Sequence, residues 1–136
     1  MRKLITLAVP GLFLVVFLHC GGSGSGPSPM DPGPVGPTIT SMEIPDTDLP
    51  AFDLSRTYKM PGGTNGPQGV LTALWNAGID VTRGWQPLDN ICMPPLVPEF
   101  TVELAAPDPA ILGMGFEQGI GNLNCATRLI QYEVTD

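Results

Sequence analysis

Two segments alternate apolar and polar positions cleanly, and they frame the second half of the chain. "EFTVELA" (99–105) sets Phe100, Val102 and Leu104 against Thr101 and Glu103. That period of two predicts a strand with the apolar set inward and the polar set outward. "CATRLIQYEVT" (125–135) places Ala126, Arg128, Ile130, Tyr132 and Val134 on one face and Thr127, Leu129, Gln131 and Glu133 on the other. "TITSMEI" (38–44) alternates Ile39, Ser41 and Glu43 with Thr40, Met42 and Ile44, and reads as a first strand. "FDLSRTYKM" (52–60) predicts another, with Phe52, Leu54, Arg56, Tyr58 and Met60 on one face, and "IDVT" (79–82) a further one.

A single segment breaks to the helical period. "VLTALWNAG" (70–78) groups Val70, Leu71, Leu74 and Trp75, with Pro67 placed to start a helix and Gly78 to stop it. Before it, "PGGTNGPQG" (61–69) reads as a turn in which Gly62, Gly63 and Gly66 take positive φ. "GWQPLDNICMPPLVP" (84–98) contains four prolines and predicts irregular chain, a stiff connection. "ILGMGFEQGIGNLN" (111–124) holds four glycines and reads either as a loosened strand or as a long functional loop. The pattern as a whole predicts a mainly β domain, with α+β as the alternative: a small antiparallel sheet with one short helix.

The amino terminus follows a different logic. Met1, Arg2 and Lys3 supply a positive end, and Leu4 to Leu18 carry no charge. Fifteen helical residues reach roughly 22 Å, short of the roughly 30 Å hydrocarbon core of a bilayer. Pro10 and Gly11 also interrupt the run, so a removed export signal fits better than a retained span. Cys20 ends the greasy stretch, and residues 20–37 follow with six glycines and five prolines, too little side chain to fold. Residues 1–26 resemble a bacterial lipoprotein signal, in which the cysteine after the apolar run is lipidated and becomes the first mature residue. Phe17, Leu18 and His19 stand where that pattern has aliphatic and small residues. Ordinary cleavage near Gly22-Ser23-Gly24 is the alternative, and would leave the chain secreted. The resemblance implies a signal peptide at 1–19; composition gives a tether at 20–37 and leaves one globular domain at 38–136. It places the protein at a bacterial cell envelope, held to the outer membrane or cell surface through lipid on Cys20.

Export changes the reading of the cysteines. Three is an odd number; with Cys20 lipidated or removed, Cys92 and Cys125 remain as a natural pair in an oxidising compartment. Such a bridge is worth about 3–4 kcal/mol by loop closure.

From Cys20 onward four basic residues (Arg56, Lys59, Arg83, Arg128) face all thirteen acidic ones. That balance excludes nucleic acid as a partner, which requires a cationic face. The one histidine, His19, lies in the signal. The mature chain thus lacks the Ser-His and Cys-His nucleophile systems and histidine-ligated metal sites. "GGTNGPQG" lacks the Gly-Lys-Ser/Thr ending of a phosphate loop, and Asp46, Asp48 and Asp53 do not follow a calcium-loop pattern. No metal and no cofactor is expected.

Two function classes follow. The first is a non-enzymatic binding or structural module, with an envelope protein, a glycan or a small ligand as partner. Its expected contact surface is "GMGFEQGIGN", with Phe116 and Ile120 for apolar contact and Gln118 and Asn122 for directed hydrogen bonds; the same stretch also reads as a hairpin with loose turns in which Phe116 belongs to the core. The alternative is a small metal-independent hydrolase of envelope polymers, using two of Asp80, Asp89, Glu99, Glu103 and Glu117. The anchor has a direct test. The intact mass of membrane-extracted protein should correspond to a chain beginning at Cys20 with lipid attached. A mature terminus at Ser23 or Gly24 excludes the lipid while leaving export in place.

Overall fold

The alternating segments pair into one six-stranded antiparallel sheet. The computed structural model describes residues 36–64 and 66–136. The expected signal, Cys20 and nearly all of the tether lie outside the described residues. In chain order the elements are β1 (Thr38–Pro45), β2 (Thr57–Met60), α1 (Pro67–Asn76), β3 (Val81–Pro87), β4 (Phe100–Leu104), β5 (Glu117–Gln118) and β6 (Arg128–Thr135). Across the sheet the order is β1-β6-β3-β4-β2-β5. The domain is mainly β, with one α-helix and a Cys92–Cys125 disulfide. Among the described residues no helix is long and apolar enough to cross a membrane.

Local chemistry explains the boundaries. Pro67 occupies the first turn of α1, where a missing N–H is harmless. At the other end Gly78 adopts φ +76, its amide donating to Trp75 O at 2.9 Å and that of Ile79 to Leu74 O at 3.0 Å. This paired capping needs a left-handed residue, which glycine supplies. Gly62 and Gly63 take positive φ as expected; Gly66 does not, standing at φ −141 as the residue before the helix.

Several expectations are corrected. The strand predicted over 52–60 forms only from Thr57. Asp53 captures the earlier residues in a turn, accepting from Ser55 N at 3.0 Å and Ser55 Oγ at 2.7 Å, while its carbonyl accepts from Thr57 Oγ1 at 2.7 Å. Conversely, β3 runs on to Pro87, four residues into the stretch predicted to be irregular. Pro87 ends the strand without losing a ladder bond: the next residue, Leu88, donates to Arg128 O at 3.0 Å, so alternation turns the Pro87 nitrogen away from β6. Residues 111–124 resolve into 3-10 turns at Pro109–Met114 and Leu123–Cys125 around the two-residue β5. Cys125 accordingly precedes β6 and does not open it.

The last correction bears on the whole architecture. All five residues of β4 are buried, the nominally outward Thr101 and Glu103 included. One face of the sheet carries Tyr58, Phe100, Val102, Leu104, Val81 and Tyr132, covered by Leu71 and Leu74 of α1 with Ile79, Ile111 and Phe116. The other face carries Trp85, Leu129 and Ile44, covered by Leu123, Ala126, Leu49 and Phe52. Phe52 meets the Trp85 ring edge-on, with centroids 4.9 Å apart. Irregular chain therefore roofs the face that the pattern assigned to water.

Beneath that roof lies an ionic cluster. The Glu103 side chain is 2% exposed. Its Oε2 accepts from Arg83 Nη2 at 2.6 Å and Nε at 3.0 Å, and its Oε1 lies 2.9 Å from Arg56 Nη2. Arg83 also sits over the Trp85 ring, 5.4 Å from its centroid, and Trp85 Nε1 donates to Gln131 Oε1 at 3.0 Å. Removing one partner of a buried ion pair costs about 3–5 kcal/mol. Both guanidiniums are one-third exposed and can rehydrate, which puts Glu103→Gln near about 3 kcal/mol. Urea unfolding should show that loss; a change below about 0.5 kcal/mol would make the cluster surface-like.

Candidate functional site

The proline-rich segment 88–98 turns its apolar side chains outward. Met93 is 95% exposed, Val97 62% and Ile91 58%, and Leu88 and Leu96 also stand in solvent. Single exposed apolar residues are unremarkable, but a cluster of them in one loop is a candidate interaction surface.

The loop is held from several sides. The disulfide ties Cys92 to Cys125, and Ile91 N donates to Cys125 O at 2.7 Å. Asn90 works in both directions, accepting from Cys92 N at 3.1 Å and donating through Nδ2 to Leu96 O. Asn122 does the same at the far end. It accepts from Glu99 N at 3.0 Å through Oδ1, donates its own amide to Glu99 Oε2 at 3.1 Å, and donates Nδ2 to Val97 O at 2.7 Å. Lys59 Nζ completes the corner, 3.1 Å from Glu99 Oε1.

Two glycines make the close packing possible. Gly63 stands at φ +69, and a Cβ there would lie 1.9 Å from Pro98 O. At Gly121 a Cβ would lie 2.8 Å from Glu99 Cβ. Between these supports opens a cavity of about 230 Å³, lined by Gly62, Leu96, Val97, Glu99 and Asn122. A second cavity of about 260 Å³ lies elsewhere, lined by Trp75, Gly78, Ile79, Asp80 and Asp136.

The structure separates the four residues expected to form a contact surface. Asn122 lines the cavity, and Ile120 is exposed just before it in the chain. Phe116 is withdrawn from the surface: it is 4% exposed and packs in the core with Tyr58 and Ile111. Gln118 belongs to β5 at the sheet edge, where its Nε2 donates to Leu54 O at 3.0 Å. What the pattern missed was the loop itself. Its signal was present in "ICMPPLVP": apolar side chains beside prolines that cannot enter a ladder.

Several of the candidate hydrolytic carboxylates are occupied as acceptors. Glu103 lies in its arginine clamp and Glu99 is bound by Lys59 and Asn122. Asp89 receives Thr127 N at 2.7 Å and Thr127 Oγ1 at 2.6 Å. Among the described residues no group of three or more potential ligands is placed to hold a metal ion. Comparison with known proteins yields no match among family models, curated proteins or solved structures.

Asp89 gives the loop a pH limit. The hydrogen bonds from Thr127, side chain first and then backbone, hold its carboxyl below the usual 3.8. A depressed carboxyl stabilises the fold fully above its unfolded value and loses that effect as pH falls through the folded one. Thr127 amide protection should thus persist at mildly acidic pH and fall only below about 3.8. Loss of protection centred above that value would contradict the Asp89 clamp.

Proposed function

We propose that this chain is a non-enzymatic binding module of a bacterial cell envelope, tethered through lipid on Cys20, and that segment 88–98 is its contact surface. The carrying observation is an apolar loop that is both exposed and locked, with Met93 95% exposed between the Cys92 bridge and the Asn90–Leu96 bond. Locking an apolar surface before contact reduces the ordering entropy lost on binding.

Charge selects the partner class. All four basic side chains of the described region are in ion pairs within the chain: Arg56 and Arg83 with Glu103, Lys59 with Glu99, and Arg128 with Glu43. Asp46, Asp48, Asp80, Asp108, Glu117 and Glu133 have no such pair among the described residues. The partner that fits is a protein that meets the loop through an apolar patch of its own and presents no anionic surface to this acidic domain. Position agrees with a tether. The described chain begins beside the Thr38 end of β1, whereas the loop leaves β3 next to Arg128, opposite Pro45. Roughly 23 Å of strand separates these ends. This reading needs no cofactor.

A photoreactive residue at position 93 of the full chain should form a protein adduct in intact envelopes, while one at exposed Leu54 should not. Met93→Asp with Leu96→Asp should weaken the association about 30-fold, the roughly 2 kcal/mol of an interface hot spot. The unfolding midpoint should stay unchanged. Equal adducts at 93 and 54, or adducts only to lipid or glycan at 93, would sink the reading.

A further inference from the structure

We propose that β1 is a self-association edge: it pairs antiparallel with β1 of a second copy and joins two six-stranded sheets into one. The inference stands apart from the loop and rests on backbone geometry. β1 pairs with β6 over eight residues in unbroken register, Thr38 opposite Thr135 through Pro45 opposite Arg128. Just beyond, Asp46 N donates to Thr127 O at 3.1 Å in the same register. Hydrogen-bonded pairs alternate in such a ladder, so Thr38, Thr40, Met42 and Ile44 bond to β6. The amides and carbonyls of Ile39, Ser41 and Glu43 therefore face away from the sheet, and among the described residues β1 has no other strand neighbour.

Exposed edges are ordinarily guarded by lysine, proline, a bulge or extreme shortness. The opposite edge of this sheet follows that rule, since β5 has two residues. β1 follows it only at its ends, where Pro37 and Pro45 stand at outward-facing positions. Between them residues 38–44 contain no lysine, proline or bulge, and the one charge, Glu43, is tied to Arg128 Nη1 at 3.2 Å. Threonine and isoleucine give the strand high β propensity.

The occupant is a second copy because the free groups are symmetric about Ser41. With the twofold axis at that residue, Ser41 faces Ser41 of the second copy, Ile39 faces Glu43, and Thr40 faces Met42. All three outward amides on each strand then meet outward carbonyls on the other. Met42, 50% exposed in the single chain, lies against Thr40 of the second copy. The two Glu43 carboxylates fall about 13 Å apart along the strands, beyond the screening length of about 8 Å. No outward donor remains unpaired.

Sedimentation equilibrium of the full chain over a wide concentration range should reveal a species of twice the monomer mass. Ser41→Pro removes an amide that faces away from β6, so it should abolish that species while leaving the unfolding midpoint in place. Ser41→Lys sets two ammonium groups across the axis. It should weaken the dimer, and added salt should restore part of it. Amide exchange in the wild-type chain is independent of any variant: Ile39, Ser41 and Glu43 should gain protection as concentration rises. A monomer throughout, a Ser41→Pro dimer as tight as wild type, or protection at those amides that ignores concentration would overturn the proposal.

Discussion

A buried carboxylate between two arginines determines how this small domain is put together. Glu103 lies on β4, Arg83 on the neighbouring β3, and Arg56 just ahead of β2 on the other side. An isolated carboxylate taken out of water would be strongly disfavoured, so the two guanidiniums must be present for the roof above them to close. The cluster also specifies register. A slip of one residue in β4 would send Glu103 to the face of Phe100 and Val102, where Leu71 and Leu74 wait and no cation does. The ion pairs thus act less as a source of stability than as a selector among strand pairings.

That cluster accounts for the irregular half of the chain. A lone helix cannot cover a six-stranded sheet on both sides. α1 covers one face; segments 46–56 and 119–127 cover the other, and each has its own fastening. Asp53 ties down the first through Ser55 and Thr57. Thr101 holds the second, accepting Gly121 N at 3.0 Å through its buried hydroxyl. The disulfide, which spans 33 residues, joins that second cover to the proline-rich loop. Loop closure on this scale contributes about 3–4 kcal/mol, a large share of the stability of a domain of roughly 100 residues.

How much of this was legible in the sequence follows from the range of the forces involved. β1, α1, β4 and β6 were readable because alternation, a helical period, Pro67 and Gly78 act within a few residues. The Cys92–Cys125 pair was readable by elimination. The burial of Thr101 and Glu103 was not, because it depends on Arg56, Arg83 and Gly121, some 20 to 47 positions away. For the same reason 52–56 resembled a strand: its alternation is genuine, but Asp53 offers the backbone a competing turn. At the site, glycine content pointed toward 111–124, and Asn122 does line the cavity. Yet the exposed apolar mass lies in the adjoining proline loop. Proline removes donors from the backbone, and Asn90 and Asn122 supply the fastening that a ladder would otherwise provide.

The same arithmetic of donors and charges explains which surfaces this domain leaves open. Its four described cations are all drawn inward or paired, so attraction to other molecules must come from apolar contact, from unpaired backbone groups, or from negative charge. Each of these sits in its own place. The apolar contact is concentrated in loop 88–98, beyond the Pro45 end of β1. Unpaired backbone amides line the outer side of β1 itself. An antiparallel β1–β1 ribbon would send the two apolar loops to opposite ends of a continuous sheet, because each loop follows the Pro45 end of its own copy. Neither surface would then occlude the other, and a domain of this size could engage a partner and a second copy at once.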